Sequence, residues 1–344
     1  RRKLLHAEKK YICRNKLRPD ALRPLKFHPI LKQTLWGGER IIPYKELASG
    51  LSRVGESWEL SGMPGSESVV AEGPWAGSTL SELIGRFGAE LLGKANYARF
   101  GQEFPLLVKF IDAREDLSIQ VHPDDELARK RHGKSGKCEM WYVLEAEPGA
   151  SLLTGFSRPI APAEYERRVA DNTLPAVLNR QAIASGDVFY LPAGRVHSIG
   201  KGSFIVEIQQ SSDITYRIYD FDRRDAAGNS RELHTELARE AIDFESSENS
   251  RITYAPENNQ EVRLVTTPYF TTSLYTLTAR THCDWSATDS FVAIVLLQGS
   301  GSLTDNEGNR IDVRQGETWL LPASTQWTEI TPHTAPLRLL TSRI

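Results

Sequence analysis

Four side chains that could bind one divalent metal ion lie on separate apolar segments of the sequence. Gln120 and His122 lie two residues apart on the first of these segments. Glu139 follows on the next segment and His197 on a later one. Two oxygens and two imidazole nitrogens suit Zn²⁺ at a site that keeps a position for water or a substrate. A single histidine of this kind is usually a satisfied polar group, so the prediction depends on the four residues together.

Two positively charged side chains accompany these candidate ligands. Lys137 lies two residues before Glu139, so on an extended strand both side chains point into the same space. Arg217 also lies among apolar residues, where an unpaired cation is costly. These positions favour a negatively charged ligand beside the metal, since an apolar substrate would not use them.

The segments that carry these residues alternate as β-strands do. In the first segment Ser118, Gln120 and His122 share one face, whereas Ile119 and Val121 point to the other. Similar short apolar segments, separated by Gly, Pro, Asn and Asp, continue to the C-terminus. This spacing is typical of a β-sandwich or barrel, so we predict a mainly β fold.

Helical periodicity is restricted to three stretches, around residues 78–92, 124–130 and 162–178. Asp124 suits the N-cap of the second helix. Pro162 and Glu164 suit the first turn of the third, since proline lacks a donor and acidic residues favour a helix N-terminus.

An internal repeat indicates two related β-units. Residues 186–193, Gly-Asp-Val-Phe-Tyr-Leu-Pro-Ala, recur as Gly-Glu-Thr-Trp-Leu-Leu-Pro-Ala at 316–323, an offset of 130 residues. Upstream, residues 141–149 resemble residues 293–301 at an offset of 152. The difference of 22 residues nearly equals the length of the segment between Ile160 and Gln181, which contains the third helical stretch. The sequence therefore predicts two copies of one β-unit, the first with a helical insertion near 160–180.

We place the first unit at residues 24–258 and the second at 259–344, after a basic leader at 1–23 that we expect to be poorly ordered. At the two offsets, Phe291 corresponds to Glu139 and Trp327 to His197. The second unit should therefore be a degenerate copy that cannot bind a metal ion in the same way.

The composition excludes several classes of protein. The 344 residues include 42 Lys plus Arg and 44 Asp plus Glu, a formal charge of −2, so no overall field favours nucleic acid or an anionic membrane. No segment approaches the roughly 20 apolar residues of a membrane span or has the pattern of a secretory signal. Three widely spaced cysteines do not indicate a disulfide framework. We expect a soluble, cytoplasmic protein, monomeric or a small homo-oligomer.

Three motifs now identify a family. Residues 186–197 match the second cupin motif, Gly-x5-Pro-x-Gly-x2-His. In the first motif, Gln120 stands where most cupins have a histidine. The combination of Gln-x-His-Pro-Asp at 120–124, Gly-Lys-x-Glu-x-Trp-Tyr at 136–142 and Pro-Ala-Gly-x2-His at 192–197 resembles the type I phosphomannose isomerases of the cupin superfamily, especially the short bacterial form. The resemblance extends from about Leu25 to the C-terminus.

The resemblance implies two cupin domains, each a jelly-roll β-barrel, and an isomerase that interconverts mannose 6-phosphate and fructose 6-phosphate. It implies one Zn²⁺ per chain, with the ligands Gln120, His122, Glu139 and His197. A phosphorylated hexose would be the partner of the site, with no role for nucleic acid or a membrane.

The resemblance also assigns roles to further residues. Arg217 matches an arginine over the reacting carbons, and Glu207 matches a carboxylate proposed as the base. Lys137 would bind the substrate or help to ionise it. Ser118 and Lys109 match positions that contact the phosphate.

Two other functions fit a cupin barrel. An iron-dependent dioxygenase uses similar His and Glu ligands, and a non-enzymatic cupin binds a sugar without turnover. The basic residues beside the metal argue against the first, and the lack of a DNA-binding helical pattern argues against a sugar-sensing regulator. The remaining histidines have no partner at a useful spacing, and we expect them at the surface: His132, His234, His282 and His333.

Overall fold

The computed structural model of the protein describes residues 21–245 and 249–344 and shows a mainly β fold, as the sequence predicts. The strands before residue 253 are β1 (Leu25–Lys26), β2 (Ile30–Gly38), β3 (Val54–Leu60), β4 (Gly62–Met63), β5 (Ser66–Glu67), β6 (Leu106–Asp112), β7 (Ile119–Val121), β8 (Glu139–Ala146), β9 (Ser151–Phe156), β10 (Leu178–Ala182), β11 (Val188–Leu191), β12 (His197–Ile199), β13 (Ser203–Gln210), β14 (Tyr216–Tyr219) and β15 (Arg251–Ile252). The later strands are β16 (Val262–Thr266), β17 (Thr271–Leu277), β18 (Thr281–Asp284), β19 (Val292–Gln298), β20 (Ser300–Asp305), β21 (Arg310–Arg314), β22 (Thr318–Leu321), β23 (Trp327–Pro332) and β24 (Leu337–Arg343).

The helices in the described residues are short. They are α1 (Ile41–Tyr44), α2 (Leu80–Phe87), α3 (Ala89–Leu92), α4 (Lys94–Phe100), α5 (Asp125–His132), α6 (Pro162–Ala170) and α7 (Thr235–Ala241), with one 3₁₀ turn at Leu174–Val177. Within the described ranges no helix has the length and apolar composition needed to cross a bilayer.

The first pair of sheets encloses a cavity. One sheet has the order β15-β11-β8-β13-β6-β3-β2 and the other the order β10-β9-β12-β7-β14. Alternate residues of β6 and β13 point to opposite sides of the first sheet. Val108 and Val206 pack into a core on its outer side, whereas Ile111 and Ile205 pack inward with residues of β9 and β12. The polar residues that share the inward face therefore meet between the two sheets.

Helices α5, α6 and α7 cover the outer side of the five-stranded sheet. Ile119 and Val121 of β7 pack there against Ala128, Tyr165 and Ala238, one from each helix. This confirms the predicted division of β7 into two faces. The cavity thus lies behind a sheet whose apolar side is buried under helices.

The second pair of sheets is built from the C-terminal strands. Its sheets have the orders β1-β22-β19-β24-β17-β16 and β18-β23-β20-β21, and their facing sides form a core of their own. The outer side of the six-stranded sheet, including Ala293, Leu320 and Leu340, packs in one cluster with Val108 and Val206. The two pairs of sheets therefore share a buried apolar layer, which fixes one against the other.

Strand β1 joins the C-terminal group. Leu25 pairs with Leu320, and Lys26 pairs with Trp319, although our boundary assigns residues 24–258 to the first unit. That boundary stays a prediction. Residues 1–20 of the predicted basic leader lie outside the described residues.

The strand pairing follows the internal repeat. Strand β11 pairs with β8, and at the corresponding place β22 pairs with β19. Leu191 lies opposite Glu139, whereas Leu321 lies opposite Val292, so the register moves the counterpart of Glu139 one residue from Phe291. Both counterparts are apolar, and neither can bind a metal ion.

The predicted helical stretches all contain helices. The extra residues of the first copy form α6 and the 3₁₀ turn, between β9 and β10. Pro162 starts α6, Glu164 lies in its first turn, and the Asp124 side chain caps α5 by accepting from the backbone N–H of Leu127. Helices α1, α4 and α7 were missed, because each spans only one or two turns and shows little periodicity.

Candidate active site

Three of the predicted metal ligands meet in the interior of the first pair of sheets. His122 follows β7, Glu139 begins β8 and His197 begins β12. Ligand atoms of all three lie within 4.8 Å of one another. Glu139 Oε1 lies 3.1 Å from His197 Nε2, and Glu139 Oε2 lies 3.5 Å from His122 Nε2. The side chains are at most 2% exposed, so they form a buried polar cluster.

Backbone carbonyls orient both histidines. Nδ1 of His122 lies 2.8 Å from O of Ile214, and Nδ1 of His197 lies 2.8 Å from O of Arg195. A carbonyl accepts only, so each Nδ1 carries a proton, which leaves Nε2 as the nitrogen that faces Glu139 and is available to a metal ion. This tautomer is the one that binds a metal through Nε2.

The cluster fits a divalent metal ion. Oε1 of Glu139 and Nε2 of His197 are buried without a hydrogen-bond partner among the described residues. Buried polar atoms are rarely left in this state, and a metal ion would satisfy them. Burial, reinforced by Lys137, holds the pKa of His122 well below its ordinary value, so the imidazole stays neutral.

Lys137 lies beside these ligands, as its spacing predicts. Its Nζ is 2.8 Å from Glu139 Oε2 and 3.1 Å from His122 Nε2. Burial alone would raise the pKa of Glu139, but Lys137, His197 and His122 together hold it well below its ordinary value. Glu139 is therefore ionised, which metal binding requires.

The last predicted ligand, Gln120, lies between two other site residues. Its backbone pairs with His197 on one side and Arg217 on the other. Paired residues on adjacent strands point to the same side of the sheet, so the side chains of His197, Gln120 and Arg217 share one side. Gln120 also lines the cavity beside the cluster.

The opposite wall is a row of four residues on adjacent strands. Trp141, Glu207, Lys109 and Trp58 are cross-strand neighbours in that order. Trp141 Nε1 donates to Glu207 Oε2 at 3.0 Å, and Lys109 Nζ lies 3.3 Å from Glu207 Oε1. Glu56 is 3.9 Å from Lys109 on its other side. Burial lowers the pKa of Lys109, but Glu56 and Glu207 more than offset this and raise it above its ordinary value.

These walls line a cavity of about 370 Å³. Ser118, Lys109, Gln120, Lys137, Glu207 and Arg217 all line it, while His122, Glu139 and His197 lie next to it. Its volume falls within the range of small-molecule sites, roughly 300–1,000 Å³. The structure thus brings all nine predicted site residues to one region.

The site also contains residues that sequence reasoning missed. Lys32 and Arg231 line the cavity. His234, expected at the surface, is half-buried, and its Nδ1 accepts a hydrogen bond of 3.1 Å from the backbone N–H of Arg217. The short sequence Arg-Glu-Leu-His at 231–234 carries no periodic signal, so only the pairing with β14 reveals its role. His132, His282 and His333 are exposed, as expected.

Comparisons with known proteins agree with this geometry. Residues 25–150 match the family described as phosphomannose isomerase type I, catalytic domain. The probable mannose-6-phosphate isomerase GmuF of Bacillus subtilis is 34% identical over 303 residues, which cover 87% of this chain and 93% of the relative. The chain belongs to the type I phosphomannose isomerase family. The mannose-6-phosphate isomerase of Streptococcus mutans is 33% identical over 302 residues, with 87% and 92% covered.

Solved structures of phosphomannose isomerases share the fold. The mannose 6-phosphate isomerase of B. subtilis superposes with a TM-score of 0.84 at 30% identity, covering 94% of this chain and 100% of that one. A putative mannosephosphate isomerase of Archaeoglobus fulgidus has a TM-score of 0.75 at 21% identity, with 93% and 96% covered, and shows the fold alone. The family confirms the isomerase and cupin expectations made from the sequence motifs.

A glycine sets the position of the segment that carries Lys137 and Glu139. A Cβ atom on Gly136 would lie 2.4 Å from C of Asp124 and 2.6 Å from N of Asp125. The Gly136 N–H donates to the Asp125 carboxylate at 2.8 Å, and Lys137 N donates to Pro123 O at 3.1 Å. The segment is therefore packed directly against the start of α5.

We predict that Gly136→Ala lowers both stability and metal affinity, because the segment must move away from α5. Overpacking of this kind costs about 1–3 kcal/mol of unfolding free energy. Urea denaturation and measurement of the metal content after dialysis would test this.

Gly133→Ala is the matched control. Gly133 has a positive φ of 64° at the end of α5, but a Cβ there meets no atom within 4 Å. We expect a loss of about 1–2 kcal/mol with unchanged metal content. A Gly136→Ala protein with the metal affinity and stability of the wild type would contradict the positioning role.

Proposed function

We propose that the protein interconverts mannose 6-phosphate and fructose 6-phosphate, with Zn²⁺ bound by Gln120, His122, Glu139 and His197. The observation that carries the proposal is the buried cluster of His122, Glu139 and His197, whose unpaired ligand atoms lie beside a cavity that contains both acidic and basic groups. The names of the relatives agree with this substrate. The cytoplasmic location and the oligomeric state stay predictions from the sequence.

The reaction moves one proton between neighbouring carbons. In the open-chain aldose, a base removes the proton from C2 while the C1 carbonyl oxygen gains a proton, which gives an enediol. The same proton is returned to C1, and the O2 hydroxyl loses its proton, which gives the ketose. The site therefore needs a base that can hold a proton and groups that stabilise negative charge on O1 and O2.

The proposed zinc ligands are the imidazoles of His122 and His197, the ionised Glu139 and the amide oxygen of Gln120. Zn²⁺ held there would supply a Lewis acid next to the substrate oxygens. The imidazoles are already oriented by backbone carbonyls, which limits the reorganisation that metal binding requires. The position of Gln120 between His197 and Arg217 supports its place in the set.

Glu207 is the proposed base. It is 3% exposed and lies in the wall opposite Gln120. Trp141 holds one of its oxygens by a hydrogen bond, and Lys109 forms an ion pair with the other. The carboxylate is thus fixed in orientation, which favours proton transfer at a defined carbon. In this proposal Lys109 and Trp141 together hold Glu207 in place for the substrate.

Arg217 and Lys137 are the proposed electrostatic groups. Arg217 donates from Nη1 to O of Glu232 at 3.0 Å, whereas its Nε has no hydrogen-bond partner among the described residues. A guanidinium with an unused donor beside the cavity suits an oxyanion that forms during the reaction. Lys137, next to the metal ligands, would bind a substrate hydroxyl. Ser118 and Lys109 are the predicted contacts of the phosphate.

Removal of the metal tests the proposal most directly. We predict that a chelator abolishes formation of fructose 6-phosphate from mannose 6-phosphate, measured in a coupled assay, and that added Zn²⁺ restores it. The reason is that the buried charge of Glu139 and the substrate oxygens then lose their positive partner. Turnover that is unaffected after the metal has been shown to be gone would exclude this mechanism.

We predict different effects for His197→Ala and Arg217→Ala. The first should lose both bound metal and turnover, because a buried ligand is removed. The second should keep one metal per chain while kcat falls about 10²–10³-fold, the usual effect of removing one oxyanion donor. Metal analysis and steady-state kinetics measure both quantities.

Exposed residues of the same types serve as controls for these variants. His333→Ala and Arg224→Ala should behave as the wild type in both measurements. If Arg217→Ala retains a normal kcat, then Arg217 does not stabilise the reacting oxygens.

A further inference from the structure

The positive charges around the cavity differ in how far nearby carboxylates neutralise them. Lys137 is paired with Glu139, and Lys109 lies between Glu207 and Glu56. A phosphate monoester carries about two negative charges near neutral pH. Bound at Lys109 alone, it would face two carboxylates around a single cation, which is electrostatically unfavourable. The predicted clamp of Ser118 and Lys109 therefore lacks positive charge.

An excess of positive charge exists at another part of the wall. Asp220 is 6% exposed and is bonded by two arginines. Arg223 Nη2 lies 2.6 Å from Asp220 Oδ1, Arg231 Nη2 lies 2.5 Å from the same oxygen, and Arg231 Nε lies 2.8 Å from Oδ2. Arg217 is close enough to interact electrostatically with all three. Three guanidiniums thus share one buried carboxylate, and the other nearby carboxylate, Glu232, is 84% exposed, so positive charge is in excess here.

This excess of positive charge affects the pKa of Arg217. Burial, together with the nearby Arg231, lowers the pKa of Arg217 from its ordinary value. No carboxylate lies within ion-pair distance of Arg217 among the residues that the structure describes. An anion placed between Arg217 and Arg231 would relieve the repulsion between the two guanidiniums.

Arg231 keeps donors for such an anion. Its Nε and one N–H of Nη2 are used by Asp220, which leaves the edge formed by Nη1 and Nη2. Arg231 Nη1 has no acceptor within the described ranges, and the residue lines the cavity with its side chain 29% exposed. Asp220 thus holds one edge of the guanidinium, so that the other edge has a defined direction. Such a fork matches two oxygens of a phosphate.

The backbone fixes the distance of Arg231 from the metal ligands. His197, Gln120 and Arg217 lie on successive strands. The segment that carries Arg231 is held next to Arg217 on the far side, because His234 N donates to Arg217 O at 2.7 Å and Arg217 Nη1 donates to Glu232 O. Strands are spaced about 4.8 Å apart. The backbone that carries Arg231 therefore lies on the side of Arg217 away from the metal ligands, which suits a group that binds C6 rather than C1.

We propose that Arg231, held by Asp220, binds the phosphate group of the substrate and selects phosphorylated over free hexose. The inference rests on the proposed function for the identity of the sugar. The recognition itself requires only a phosphate monoester. Ser118, on the face of β7 that carries Gln120, completes the site as a hydroxyl donor, and Lys109 serves Glu207.

Arg231→Gln and Arg231→Lys test the proposal in the full-length, metal-loaded protein. We expect Arg231→Gln to raise KM for mannose 6-phosphate at least tenfold while kcat changes less than about threefold. The inhibition constant of inorganic phosphate should rise in parallel, because phosphate uses the same donors. Arg231→Lys keeps the charge but loses the fork, so its KM should lie between those of wild type and Arg231→Gln.

The matched control is Arg224→Gln. Arg224 lies in the same loop, is exposed, and bonds only the backbone O of Gly228 among the described residues. Its KM and phosphate inhibition should equal those of the wild type. Thermal melting of each variant shows whether it is folded.

A binding measurement separates this inference from the proposed function. Calorimetric titration of inorganic phosphate into the metal-loaded protein requires no turnover. If the wild type fails to isomerise mannose 6-phosphate but binds phosphate at least tenfold more tightly than Arg231→Gln, the proposed function fails and the role of Arg231 stands. If the wild type is active and Arg231→Gln has the wild-type KM and phosphate affinity, the role of Arg231 is overturned.

Discussion

The structure depends on the neutralisation of one fully buried carboxylate. Glu139 lies inside a β-rich interior, where an isolated negative charge would cost several kcal/mol. Lys137 and the two imidazoles face it, and the three atoms that approach it come from three separate backbone segments. A divalent ion at this point would satisfy both carboxylate oxygens and the free imidazole nitrogen together. The requirement for a positive partner therefore fixes where the chemistry can occur.

Side chains alternate between the two faces of each strand, so the polar cluster can lie inside a protein with a large apolar core. Strands β6 and β13 place Val108 and Val206 in the apolar layer shared by both pairs of sheets, while Lys109 and Glu207 point inward as an ion pair. Each strand thus contributes to packing on one face and to the site on the other. Since the same backbone carries both faces, the shared core also holds the inward-facing side chains rigidly, which the proposed proton transfer requires.

Positive and negative charges are distributed unevenly around the cavity, which favours one orientation of the proposed substrate. The metal ligands and Glu207 define the end where the reacting carbons would lie. Arg231, which shares Asp220 with Arg223, defines an end with unneutralised positive charge. A hexose with a phosphate at one end and a carbonyl at the other matches this polarity in one orientation only.

Local patterns in the sequence determined the mainly β fold, the insertion that forms α6 and the inward faces that carry Gln120, His122 and Glu139, because strand alternation and metal-ligand types are visible within a few residues. The pairing of Lys109 with Glu207 and the placement of Arg231 beside Arg217 were decided only by the tertiary structure. Lys109 and Glu207 are joined across 98 positions of sequence by a strand ladder, and Arg231 belongs to an irregular segment whose position depends on hydrogen bonds to β14. Such contacts leave no periodic signal in the sequence. They depend on how distant strands are arranged and on how the carboxylates and cations of the folded protein pair with one another.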